Sequence, residues 1–219
     1  MAKFLKDNGL TLVLFALFLA SLVGHWLTGW QFQNEELSRH GEGVLSPLQY
    51  ASDPQFIATV FENWESEFLQ MSAYVVLTAF LFQRGSAESA DPDKPPRDAN
   101  VSVEAEVPKA AVSLRRGTAR QWIYAHSLAL ALFLMFIAAF AMHWIFSAKE
   151  AAAEAGSHGE PSLSTAQYLT SAQLWFESFQ NWQSEFLSTA VLVVLSIVLR
   201  QKNSPESKPL TAPLSQTGP

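Results

Sequence analysis

Leu10–Leu27 runs for 18 residues without a single Asp, Glu, Lys or Arg. Leu128–Phe146 runs for 19, with His143 as its one ionisable group. Uncharged runs of 18 or more residues have the length expected of a membrane-crossing helix. Two shorter runs, Phe68–Phe82 and Phe186–Leu199, are also free of charge. They reach the ~20 residues needed to cross ~30 Å of hydrocarbon only if Asn63–Glu67 and Asn181–Glu185 join them. Polar side chains are then drawn into the outer part of the bilayer. Four spans are expected, because an ordinary soluble core helix is apolar on one face only. Lys3 and Lys6 before the first run, and the small residues near Ala20 and Ser21, also fit a cleavable leader. An equivalent segment in the second half cannot be a leader, so the first run is read as a retained helix.

Basic residues orient these spans. Lys3 and Lys6 precede the first. Arg84, Lys94, Arg97, Lys109, Arg115, Arg116 and Arg120 lie between the second and third. Arg200, Lys202 and Lys208 follow the fourth, leaving only Arg39 and Lys149 on the other side. The positive-inside rule makes the basic face cytoplasmic and puts both termini there. The opposite face carries the acids Glu35, Glu36, Glu42, Asp53, Glu62, Glu150, Glu154, Glu160 and Glu177. Trp26, Trp64, Trp144 and Trp182 fall near the outer boundary, as interfacial anchors do.

The chain also contains itself twice. Shifted by 118 positions, Lys6–Ser89 matches the second half at 32 of 84 positions without a gap. His25–Trp26 recurs as His143–Trp144, and His40–Gly41–Glu42 as His158–Gly159–Glu160. FENWESEFL at Phe61–Leu69 recurs as FQNWQSEFL at Phe179–Leu187. Shared packing would account for matched Leu and Phe, but not for matched His, Asn, Trp and Glu. Each copy holds two spans, so both enter the membrane in the same sense. The expected fold is therefore all-α: an integral membrane four-helix bundle of two tandem parallel helical hairpins. Its pseudo-twofold axis lies along the membrane normal. Helices are expected over 8–39, 54–83, 124–157 and 172–201. Asp7–Asn8, Asp53–Pro54 and Ser171 would start helices, and Gly41 and Gly159 would end them. Repeat one is assigned residues 1–85 and repeat two 121–203. Residues 86–120, with Pro92, Pro95 and Pro96, read as a flexible cytoplasmic linker, and 204–219 as a disordered tail.

Composition narrows the function classes. There is no cysteine, which removes disulfides, thiolate metal sites and cysteine nucleophiles. A formal charge of −6 argues against nucleic acid as a partner. No phosphate-binding glycine loop, zinc-protease motif or Ser-His-Asp order is present, and the chain is not expected to be an enzyme.

The candidate site is a polar level. Asp7 to His25 is about 27 Å of helix, and Glu67 to Arg84 about 25 Å, so His25 and Glu67 are expected at similar height. The repeat puts His143 and Glu185 there too. Asn63, Ser66, Glu67 and Gln70 share one helical face, as do Asn181, Ser184 and Glu185, with Ser188 in place of Gln70. Such a stripe should face protein, because a lipid-facing carboxylate costs roughly 2.5–3.5 kcal/mol at mid-membrane. Three readings stand. The stripe ties helices together by hydrogen bonds. Alternatively it belongs to an ion or proton pathway or a small-solute site. As a third reading, His25 and His143 with the two glutamates hold a metal, or the two histidines alone ligate haem. Glu-x-x-His is missing, so the di-iron pattern does not apply. No cofactor is assigned.

The run FENWESEFLQ at Phe61–Gln70, its continuation from Tyr74 to Gln83, and Gly85–Ser89 resemble a bacterial family of small multi-pass membrane proteins. Asn34–Glu35–Glu36 and the doubled Asn-Trp-x-Ser-Glu-Phe motif are similar as well. That family is known only as a domain of unknown function. The resemblance covers the chain outside linker and tail. It implies a bacterial integral membrane protein and carries no activity over. Independently of it, the apolar spans and their orientation point to the inner membrane, with the lipid bilayer, a second copy or another membrane protein as expected partner. Repeat two departs from it at Gln180 and Gln183, so any role of Glu62 and Glu65 is unequal between the halves.

Overall fold

The computed structural model describes residues 2–95, 119–159 and 161–218. Those residues contain helices and turns and no strand. The helices are α1 (Ala2–Arg39), α2 (Pro47–Tyr50), α3 (Pro54–Phe80), α4 (Ala119–Ala125), α5 (Ser127–Ser157), α6 (Thr165–Tyr168) and α7 (Ala172–Val198). Adding 118 to the ends of α2 and α3 reproduces the ends of α6 and α7 residue for residue. Most of the expected linker, residues 96–118, lies outside the described residues.

Local chemistry accounts for the boundaries. Ser46 and Gln49 form a reciprocal capping box at the start of α2, and Ser164 and Gln167 repeat it at α6. Asp53 Oδ1 accepts from the Gln55 amide as α3 begins, and Ser171 Oγ accepts from Leu174 at the start of α7. Gly41 and Gly159 take φ of +75° and +68°, the left-handed stop that glycine adopts without Cβ strain. Four expected boundaries move. The helices expected to reach 83 and 201 stop three residues earlier, at Phe80 and Val198. Asp7 and Asn8 do not cap α1: the helix already runs from Ala2, and the Asn8 amide donates back to Phe4 O. The expected helix from 124 is split at His126, whose Nδ1 lies 2.8 Å from Trp122 O while its own amide also donates there.

Among the described residues three helices are long and apolar enough to cross a membrane: α1 from Lys3, α5 and α7. Four spans were expected. Although α3 equals α7 in length, it carries Gln70, Ser72, Ala73 and Tyr74 where α7 has Ser188, Ala190, Val191 and Leu192, and that lowers its apolarity. Burial is inverted relative to a water-soluble protein. Leu10, Leu17, Leu134 and Leu187 are 59–75% exposed, whereas Ala58, Ala139, Ser147 and Ala148 are buried. Small residues at helix contacts with large apolar ones outward are the pattern of helices packed in lipid.

The chain divides into two compact units, Met1–Val60 with Met142–Tyr168, and Phe61–Ala141 with Leu169–Pro219. In the first, side chains of α1 hold the loop that follows it. Trp26 Nε1 donates to Pro47 O (3.0 Å), and Trp30 Nε1 to Leu45 O (2.7 Å). The Asn34 amide exchanges hydrogen bonds with both backbone groups of Leu45 (2.7 and 2.9 Å). Gly29 lets Tyr50 approach: a Cβ there would stand 2.5 Å from the phenol oxygen. Trp144 repeats the Trp26 contact, donating to Thr165 O at 2.8 Å. In the second unit, α5 packs on α7 through Phe136 against Trp182 (6.2 Å between ring centres) and Phe140 against Trp175 (5.9 Å).

The tail departs from expectation. Disorder is expected of its Pro- and Ser-rich composition, yet residues 201–218 form hydrogen-bonded turns. The turn after α7 copies the turn after α3. Ser89 Oγ accepts from the Gln83 amide, and Ser207 Oγ from Gln201. Ser86 Oγ accepts from Glu88, and Ser204 Oγ from Glu206. Left-handed Gly85 and Asn203 occupy matching places, with φ of +83° and +66°. Side-chain oxygens take over backbone donors in a segment whose composition alone suggests none of this.

Candidate functional site

The polar level resolves into a seam between α3 and α7 within the second unit. Asn181 Nδ2 donates to Glu62 Oε1 at 2.5 Å. Trp182 Nε1 donates to Glu65 Oε1 at 3.1 Å, and Gln70 Nε2 to Thr189 Oγ1 at 2.5 Å. The partners are separated in sequence by 119, 117 and 119 residues. A near-constant separation over more than two turns means that the two helices run parallel and in step. Residues that correspond in the repeat thus lie at the same height along the seam.

The structure changes which acid is central. The side chain of Glu65 is wholly buried, as is most of Ser66, while Asn63 and Glu67 are exposed. Glu67 is still within electrostatic reach of Glu185, which is half-buried. Ser184 is exposed, and its hydroxyl bonds its own helix at Asn181 O (2.8 Å). Thr189, not Ser188, answers Gln70. Sequence reasoning placed the stripe one step around the helix, on the residues common to both repeats. The signal for the buried face was the opposite one: Glu62 and Glu65 are the acids that repeat two lacks, and these receive the donors of α7. Gln180 and Gln183, their counterparts, are exposed.

The histidines fall elsewhere. His25 belongs to the first unit, where Nε2 lies 3.3 Å from Thr59 Oγ1 and the ring tilts on Phe56 at 5.3 Å. His143, in the same unit, is fully buried. Glu67 belongs to the second unit. Among the described residues no three His, Asp or Glu side chains converge in a way that could hold a metal ion. The four tryptophans divide too. Trp26 and Trp144 fasten loop carbonyls, Trp64 meets Phe61 edge-on at 5.1 Å, and Trp182 spends its indole N–H on Glu65.

Residues 1–219 match the family described as "Domain of unknown function (DUF6766)". The chain belongs to that family. No curated protein and no solved structure matches it. In this DUF6766 chain the arrangement supplies interhelical hydrogen bonds. A spanning seam gains on average about 0.6 kcal/mol, and at most about 1.7, from each such bond.

Proposed function

We propose that the chain is a four-span protein of the bacterial inner membrane with both termini cytoplasmic, and that its role is structural or interactive rather than enzymatic. Its two hairpins would form a pseudo-twofold four-helix bundle in which α3 crosses alongside α7. The observation that carries this reading is the seam: parallel, in register, with Glu62, Glu65 and Gln70 each bonded to a side chain of α7. Acids committed to neighbouring helices act as fasteners. Lipid is the first partner, and self-association or another membrane protein the second. Apolar side chains such as Leu134, Phe176 and Leu187 offer the surface for both.

Conduction of ions or protons is the competing reading, supported by Glu67 and Glu185 standing within electrostatic reach. Reconstituted vesicles separate the two. Glu67→Gln with Glu185→Gln should leave proton and cation flux at the level of protein-free vesicles, as in the parent protein. Glu65→Gln with Asn181→Ala should lower thermal stability in the same preparation. Flux in the parent protein that the first pair abolishes would establish conduction instead.

A further inference from the structure

The end of the chain is built into the seam. Beyond Phe80 the backbone turns at Gly85, and residues 208–218 return to it. Lys208 is 1% exposed. Its ammonium donates to Gly85 O, to Leu214 O at 3.1 Å and to Gln216 O at 3.0 Å. An ammonium has three N–H donors, and here all three end on backbone carbonyls. None of the ion pairs among the described residues involves it. The Gly85 amide donates to Thr217 Oγ1 (2.9 Å), and the Gly218 amide to Ser86 O (2.9 Å). Ser86 Oγ and Ser196 Oγ are 2.8 Å apart, and the Ala87 amide also donates to Ser196 Oγ (3.2 Å). Gly85 leaves room for this approach, since a Cβ there would stand 2.9 Å from Leu214 O.

We propose that residues 201–218 form a releasable latch that ties the turn after α3 to the end of α7, with the Lys208 ammonium as its pin. The latch joins the two halves of the chain, because residues 208–218 close on Gly85 and Ser86. Closed, it extends the parallel seam by one further set of bonds beyond both helices. Open, it frees both backbone groups of Gly85 and the Ser86 carbonyl together with residues 208–218. It is held by few groups, nearly all polar, and a segment with little apolar burial opens more readily than helices packed on one another. The proposal does not rest on the membrane reading.

Trypsin tests it on the full chain in detergent micelles. Arg200 and Lys202 lie at the root of the latch, and Lys208 precedes Pro209 and resists cleavage. Cleavage at Arg200 and Lys202 should be at least tenfold faster in Lys208→Met than in the parent chain, with helical circular dichroism unchanged. Thr217→Val deletes only the hydroxyl that receives the Gly85 amide, and should accelerate the same cuts by a smaller factor. It also serves as the readout if Lys208→Met fails to fold. Cleavage no faster in either folded variant than in the parent would overturn the proposal.

Discussion

Asn34→Ala is the sharpest test of how the first hairpin is shaped. The Asn34 side chain receives the Leu45 amide at 2.7 Å and donates to the Leu45 carbonyl at 2.9 Å. It therefore pairs with that residue as a neighbouring strand would. Alanine removes both bonds. Each is worth about 0.5–1.5 kcal/mol net. The Leu45 carbonyl keeps the Trp30 indole, and Leu45 is half-buried, so water reaches part of the orphaned amide. The better helix propensity of alanine returns roughly 0.5 kcal/mol. The expected loss is about 1.5 kcal/mol, or roughly 3–6 °C in melting temperature for a chain of this size. Thermal unfolding in detergent, followed by tryptophan fluorescence, reads it. Gln31→Ala is the control, because Gln31 is exposed on the same helix and should change the melt by less than about 0.5 kcal/mol. If Asn34→Ala melts no lower than Gln31→Ala, the Leu45 pairing contributes nothing and the argument fails.

Reporter fusions check the crossing pattern: one after Gly43 should be active only outside the inner membrane, and one at Pro95 only inside. Identical behaviour of the two would remove α3 as a span. A pH dependence follows from Glu88. Burial first, and then the neighbouring Glu206, hold its carboxyl above the ordinary value of 4.5, although the Tyr74 hydroxyl, donating to Oε2 at 3.0 Å, pulls the other way. A raised carboxyl keeps its proton longer in the folded state than in the unfolded one. Its contribution is complete below pH 4.5 and is lost as pH rises through the higher folded value. Melting curves from pH 4 to 8 should therefore slope less steeply downward in Glu88→Gln than in the parent, and equal slopes would refute the assignment.

Much of the architecture is legible in the residues because helix ends are local chemistry. Asp53 before Pro54, Ser171 and Gly41 each act within four residues, so their roles survive without knowledge of any partner; the Ser46–Gln49 box is equally local but was not among the expected caps. The 118-residue echo then doubles every such inference. The polar site was less legible for the converse reason. Which of Glu65 and Glu67 is buried depends on where α7 sits around α3, and no pattern within α3 carries that angle. Its own polar spacing points to a stripe centred about one residue, or 100°, around the helix from the face that bonds α7. The turns of residues 201–218 are not legible in composition, which speaks of averages. The Ser-x-Glu-Ser turn is a specific arrangement hidden inside a Pro-, Ser- and Gln-rich stretch.

The unequal acids of the two repeats also bear on how the protein is made. On the four-span reading, α3 emerges from the ribosome carrying carboxylates whose donors, Asn181 and Trp182, are more than a hundred residues from being synthesised. Until they arrive, α3 has water or the insertion machinery as its only source of donors. Its settled place in the bilayer is, on that reading, a late event that waits for the second half of the chain, on which the first half depends for completion.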